Sequence, residues 1–152
     1  MTTDAPLILL VDDDQDFLDM TRDVLQASGY RVLCAPDPAT AFETMDEAKP
    51  ALVITDLMMK TLDSGFSFAR KIKEDPRFRH VPVIVCTAVA SRLGLDFTPR
   101  SLEDLAAMHA DAFFEKPLLP RDLLARIEKF LGRRPEEANP GRAATGHGRT
   151  AR

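Results

Sequence analysis

The chain has 152 residues, 45% of them hydrophobic and 29% charged, with a formal net charge of −4. That is enough for one domain with a real core and too few residues to favour two. Its apolar runs, such as residues 7–11 and 81–86, are far too short to cross a bilayer. The opening Met1-Thr2-Thr3-Asp4 holds no basic region followed by an apolar stretch. No secretory signal is read there, and a cytoplasmic location is expected.

The charge is unevenly spread. Residues 133–152 carry five arginines against two glutamates, a balance of +3, so the body 1–132 carries −7. An acidic body argues against direct nucleic-acid binding. The final segment has Pro135, Pro140, three glycines and almost nothing apolar, and is expected to be a disordered tail on a domain spanning 1–132. Cys34 and Cys86 each sit in an apolar run and are expected to be small buried hydrophobes rather than a disulfide or metal pair. His80, His109 and His147 are scattered without metal-ligand spacing. No Ser or Cys nucleophile motif and no Gly-rich phosphate loop is present.

In chain order, Leu7–Val11 is a continuous apolar run, as expected of a strand buried on both faces. A helix follows over about 14–28, with Phe17, Thr21, Val24, Leu25 and Ser28 on one stripe and Gly29 as its stop. Arg31–Ala35 is a second strand. Pro38 opens a helix to about Ala48, with Ala41, Phe42 and Met45 apolar. Residues 51–55 form a third strand ending at Asp56. A helix over 65–74 turns Phe66, Ala69, Ile72 and Lys73 inward. Residues 81–86 form a fourth strand. Ser101, with Asp104 three residues on, caps a short helix to about His109. Residues 112–114 form a fifth strand. Pro120 opens a last helix, where Leu123, Leu124, Ile127, Phe130 and Leu131 recur at helical spacing before Gly132.

Strands alternating with helices five times predict an α/β domain with a parallel sheet. Right-handed crossovers put helices on both faces. One reversal of the chain gives the flavodoxin-like, doubly wound order 2-1-3-4-5, with ligands at the carboxyl ends of the strands, beside the switch point between strands 1 and 3. Those ends carry Asp12-Asp13-Asp14, Asp56, Thr87-Ala88 and Lys116-Pro117. Carboxylates this close need a cation or raised pKa values. Oxygen ligands without His or Cys suit a hard ion, and open positions suit Mg²⁺ rather than a caged Ca²⁺. A hydroxyl from Thr87 and an ammonium from Lys116 suit the oxygens of a phosphoryl group, for which Asp56 would be the nucleophile. Each feature alone is commonplace; together they occupy the same end of successive strands.

Four segments carry a resemblance to the receiver domain of two-component response regulators. They are Ile8-Leu9-Leu10-Val11-Asp12-Asp13-Asp14, Val53-Ile54-Thr55-Asp56-Leu57-Met58-Met59, Val83-Ile84-Val85-Cys86-Thr87-Ala88 and Phe113-Phe114-Glu115-Lys116-Pro117. The resemblance covers about residues 5–132. It implies that Asp56 is the phosphoacceptor, that Asp13 is a direct Mg²⁺ ligand with Asp12 helping partly through water, and that the Met58 backbone carbonyl is a third protein ligand. Mn²⁺ would serve as a substitute. It implies that Thr87 is the switch hydroxyl, Lys116 the phosphate-contacting lysine and Phe113 the aromatic that moves inward on activation. The Lys116–Pro117 bond is expected to be cis. The phosphodonor would be a sensor histidine kinase or a histidine phosphotransfer protein, and the reader a separate effector protein. A free-standing monomer or weak dimer is expected, catalysing only its own phosphorylation and dephosphorylation.

Several positions depart from the family's pattern. Lys60 stands where Pro is common, and the loop to Gly65 through Leu62-Asp63-Ser64 is about one residue longer. Thr87 and Lys116 are 29 residues apart, with the excess placed in 91–100, where it would reshape a partner-binding face. Met58 and Val89, two residues beyond Asp56 and Thr87, cannot orient a water strongly, so slow self-dephosphorylation is expected. Competing readings fit less well. A phosphate-independent interaction module would be expected to have lost Asp56, the acidic pair or Lys116. A metal-dependent phosphatase would need an Asp at 58. Flavin binding would need a phosphate loop after strand 1.

Overall fold

A computed structural model describes residues 5–56, 64–87 and 109–132, with the backbone alone for 64–66 and 87. The expectations for Met58, Lys60, Val89, the 91–100 loop, the helix opening at Ser101 and the tail lie outside the described residues.

Five parallel strands, β1 (Leu7–Val11), β2 (Arg31–Ala35), β3 (Leu52–Thr55), β4 (Val83–Thr87) and β5 (Ala112–Glu115), form one sheet in the order β2-β1-β3-β4-β5. Four helices accompany them among the described residues: α1 (Gln15–Ala27), α2 (Pro38–Ala48), α3 (Ser64–Glu74) and α4 (Pro120–Leu131). The element order and the position of the switch point match the sequence expectation. β3 and β4 begin one and two residues later than their apolar runs. The N–H of Ala51 donates to the Leu7 carbonyl and that of Val53 to the Pro82 carbonyl, so hydrogen bonding between strands reaches one residue ahead of each paired segment.

Side chains alternate across a strand, and the two periodicities divide the core into two layers. Ile8, Leu10, Leu52, Ile54, Ile84, Cys86 and Ala112 face one way and are covered by α1 and α4 through Phe17, Leu18, Leu25, Leu123 and Ile127. Leu9, Val11, Val53 and Val83 face the other way, under α2 and α3 through Ala41, Met45, Phe68, Ala69 and Ile72. Phe68 and Leu18 are buried although neither was assigned to an inner face, and Val24, assigned to one, is only half-buried. Cys86 is buried as expected. Cys34, expected to be buried, is only half-buried; it lies on β2, the outer strand of the order β2-β1-β3-β4-β5.

The helix ends are set by local chemistry. Asp14 caps α1, its side chain accepting from the N–H groups of Asp16 and Phe17. Asp37 caps α2 through the N–H of Thr40, with Pro38 at the first turn. Gly29, at φ 98°, follows α1 in the left-handed region that a residue with a Cβ enters at a cost, and lets the chain turn into β2. At the amino end of β4 and β5, Lys73 Nζ donates to Asp111 Oδ2 at 2.8 Å and to the Val81 carbonyl at 2.9 Å. Asp111 Oδ2 also accepts from the N–H of Val83 at 2.8 Å, so one ion pair ties the end of α3 to two strands.

Candidate functional site

Register brings the acidic residues together. Val11 pairs with Thr55 across β1 and β3, so Asp12 and Asp56 are the next residues on adjacent strands. The ladder continues through them: Asp12 N donates to the Ala35 carbonyl and Asp56 N to the Val11 carbonyl, each at 3.1 Å. By parity Asp12 follows Ile8 and Leu10, and Asp56 follows Leu52 and Ile54. Both carboxylates therefore leave the sheet on the side covered by α1 and α4. Both residues are 1% exposed, whereas Asp13 is exposed. Carboxylate oxygens of Asp12, Asp13 and Asp56 lie within 4.8 Å of one another.

Lys116 enters this cluster from the turn after β5, where the Lys116–Pro117 bond is cis as expected. Its Nζ donates to Asp12 Oδ2 at 2.6 Å and lies 3.6 Å from Asp56 Oδ2. Burial pushes the Asp12 carboxyl above its ordinary value, and this outweighs the hydrogen bond from Lys116 and the N–H of Asp14, which pull it down. Among the described residues one ammonium faces two buried carboxylates, an excess of negative charge. The oxygen-only donor set fits a hard divalent ion at Asp12, Asp13 and Asp56.

The remaining predicted residues are placed as follows. Thr87 ends β4 opposite Glu115, on the same edge of the sheet as the carboxylates. Phe113 lies in β5 opposite Val85 and is half-buried. Asp14, the third acidic residue of the run, is absorbed by capping α1. Two features escaped the sequence reading. Lys116 rests chiefly on Asp12 rather than on Asp56, and its ammonium stands 4.1 Å from the centroid of the Phe17 ring. The helical stripe marked Phe17 as core, and nothing in the sequence signalled that its face meets a charge.

The fold and cleft define a class: a doubly wound α/β domain with a cation-ready carboxylate cluster at its switch point. A model of the response regulator receiver domain matches residues 8–128, and the chain belongs to that family of two-component signalling domains. It is 34% identical over 130 residues to the sensor histidine kinase TmoS of Ectopseudomonas mendocina, covering 85% of this chain and 12% of that protein. It is 32% identical to the response regulator Rre1 of Synechocystis, covering 88% of this chain and 55% of that one. It therefore spans about half, or far less, of these relatives. Among solved structures, a CheY-like receiver domain from Methanospirillum hungatei superposes with a TM-score of 0.68 at 26% identity, over 84% of this chain and 94% of that one. The receiver domain of the sensor histidine kinase PA1611 from Pseudomonas aeruginosa has the same fold, with a TM-score of 0.69 at 24% identity over 84% and 98%. No helix among the described residues is long and apolar enough to cross a membrane.

Proposed function

We propose that the domain accepts a phosphoryl group on Asp56 from a phosphohistidine of a partner protein and signals through the resulting change in packing. The observation that carries this reading is the position of Asp56. It is buried at the end of β3, within 4.8 Å of two further carboxylates and 3.6 Å from a lysine ammonium. An Asp56 carboxylate oxygen attacks phosphorus, the P–N bond to the imidazole breaks, and its electron pair stays on the departing ring, which takes up a proton. An acyl phosphate results. Hydrolysis reverses the state: water attacks phosphorus, the P–O bond to Asp56 breaks, and carboxylate and inorganic phosphate are released. The domain would catalyse these two steps on itself and no others.

Asp12, Asp13, Asp56 and the Met58 carbonyl would hold Mg²⁺ or Mn²⁺. Bound there, the ion supplies positive charge against the phosphoryl oxygens. The PA1611 receiver domain carries magnesium coordinated in its active-site cleft, which supports the same choice here. Lys116 would leave Asp12 for a phosphoryl oxygen on Asp56, the compact charge that such an oxygen attracts. Thr87, at the end of the neighbouring strand, would donate its hydroxyl to the same group. Phe113 would then move inward into the space vacated by Thr87, a shift between two packings of one fold. The phosphodonor would be a sensor histidine kinase or a histidine phosphotransfer protein, in keeping with family membership. The domain would act as a cytoplasmic switch whose phosphorylated packing is read by an effector.

The test is to incubate the protein with Mg²⁺ and acetyl phosphate and weigh the intact chain. A phosphate adduct that is absent from Asp56→Asn supports the reading. No adduct from acetyl phosphate or from any kinase overturns it. With Met58 and Val89 standing two residues beyond Asp56 and Thr87 in the sequence, the adduct is expected to decay over minutes or longer; loss within seconds contradicts that expectation.

A further inference from the structure

We propose that Phe17 is a positioning residue for phosphoryl transfer, its ring face holding the Lys116 ammonium within reach of Asp56 when Asp12 is no longer free to do so. The inference rests on the phosphoacceptor reading of Asp56 and extends it to a residue outside the acidic cluster. Three observations carry it. The Lys116 ammonium stands over the Phe17 ring at 4.1 Å from the centroid. Both groups are withdrawn from water, with Phe17 9% and the Lys116 side chain 13% exposed. Finally, the ring is fixed. Asp14 Oδ1 accepts from the N–H of Phe17 at 3.3 Å and of Asp16 at 3.1 Å, locking the first turn of α1, and the side chain packs in the core layer under α1 and α4.

An ammonium loses hydration in such a place, and the negative face of an aromatic ring replaces part of it. The attraction is broad in direction, unlike the 2.6 Å hydrogen bond to Asp12 Oδ2. Lys116 can therefore slide from Asp12 toward Asp56 without leaving the ring. Asp12 would also be one of the carboxylates holding a divalent cation, and its hold on Lys116 would then be lost. The ring is the contact that persists. A leucine at 17 would fill most of that core space and offer no such face.

Phe17 is replaced in turn by mono-, di- and trifluorophenylalanine, which keep the ring's shape and progressively drain its face of negative charge. The rate of phosphoryl uptake from acetyl phosphate with Mg²⁺ is followed by intact mass, and unfolding midpoints are measured in parallel. The rate should fall stepwise to about threefold to tenfold below wild type with little change in midpoint, the range expected of a partly desolvated cation–ring contact. Phe17→Leu should fall as far, and Phe17→Tyr should stay near wild type. In the metal-free protein the Lys116 ε-methylene protons should resonate upfield of the other lysines and return to them in Phe17→Leu. A flat fluorination series in a protein that is phosphorylated normally overturns the positioning role and leaves the phosphoacceptor reading intact. Lys116 resonances lying among the other lysines overturn it independently of any phosphorylation. A wild-type chain that takes no phosphoryl group from any donor overturns both.

Discussion

Two lysines meet aspartates at opposite ends of the sheet, and they are built differently. Lys73, at the amino end, satisfies itself with Asp111 at 2.8 Å, the Val81 carbonyl at 2.9 Å and the Arg79 carbonyl at 3.4 Å. One carboxylate faces one ammonium, and the backbone of Val83 takes part as well. Lys116, at the carboxyl end, faces two buried carboxylates with a third nearby, and it also meets an aromatic face. The first arrangement is closed and neutral. The second carries surplus negative charge and a cation that can be released without breaking the backbone ladder. Balanced pairs pin elements together, whereas an unbalanced cluster is poised to take another ion.

Mutations at the two ends should separate these roles. The largest effect is expected for Asp56→Asn, which should abolish the mass adduct without lowering the unfolding midpoint, because it removes one of the crowded charges. An adduct of undiminished yield would mean that another residue accepts the phosphoryl group.

Lys116→Met should come next. Losing a donor aimed at developing charge costs about 100-fold in rate, and acetyl phosphate labelling should slow by that order. Calorimetric titration should at the same time show tighter Mg²⁺ binding, since Asp12 no longer carries the ammonium. Weaker binding would indicate that Lys116 organises the metal ligands instead.

Asp111→Asn should do the opposite. It should cost about 1 kcal/mol of stability, as for one partly exposed charge-assisted contact, and leave the labelling rate unchanged. A slowed rate would show that the two ends are coupled.

The smallest effect is in pH dependence. Burial raises the Asp12 carboxyl above its unfolded value of 3.8. The folded state therefore holds that proton more tightly than the unfolded chain. The contribution of Asp12 is fully present below 3.8 and is lost as pH rises through the higher folded value. In chelator, urea unfolding of Asp12→Asn should thus gain on wild type as pH rises from about 4 toward neutrality. Parallel profiles for the two proteins would contradict a raised Asp12.

Much of this was legible beforehand because the relevant signals are local and periodic. Apolar runs of five residues, Asp14 and Asp37 before helices and Gly29 after one set the elements to within one or two residues. Asp12, Asp56 and Lys116 could be named because strand ends in this topology converge. What escaped depends on contacts between distant segments. Leu18 and Phe68 look like neighbours of stripe residues until helix rotation on the sheet is known. Cys34 belongs to an apolar run, yet β2 is an edge strand, and edge position is a property of the sheet.

The sequence by itself determined the α/β alternation, the strand ends that bear carboxylates and the residues able to form a phosphoacceptor site, because each follows from side-chain type and a fixed period. Only the tertiary structure decided which carboxylate holds Lys116 before any phosphoryl group arrives. Asp12 takes it at 2.6 Å because register sets Asp12 and Asp56 side by side while the turn after β5 delivers the ammonium. The structure alone also placed Phe17 against that ammonium. The cause is the rotation of α1, fixed by its cap and its packing on the sheet, and no spacing in the chain encodes it visibly.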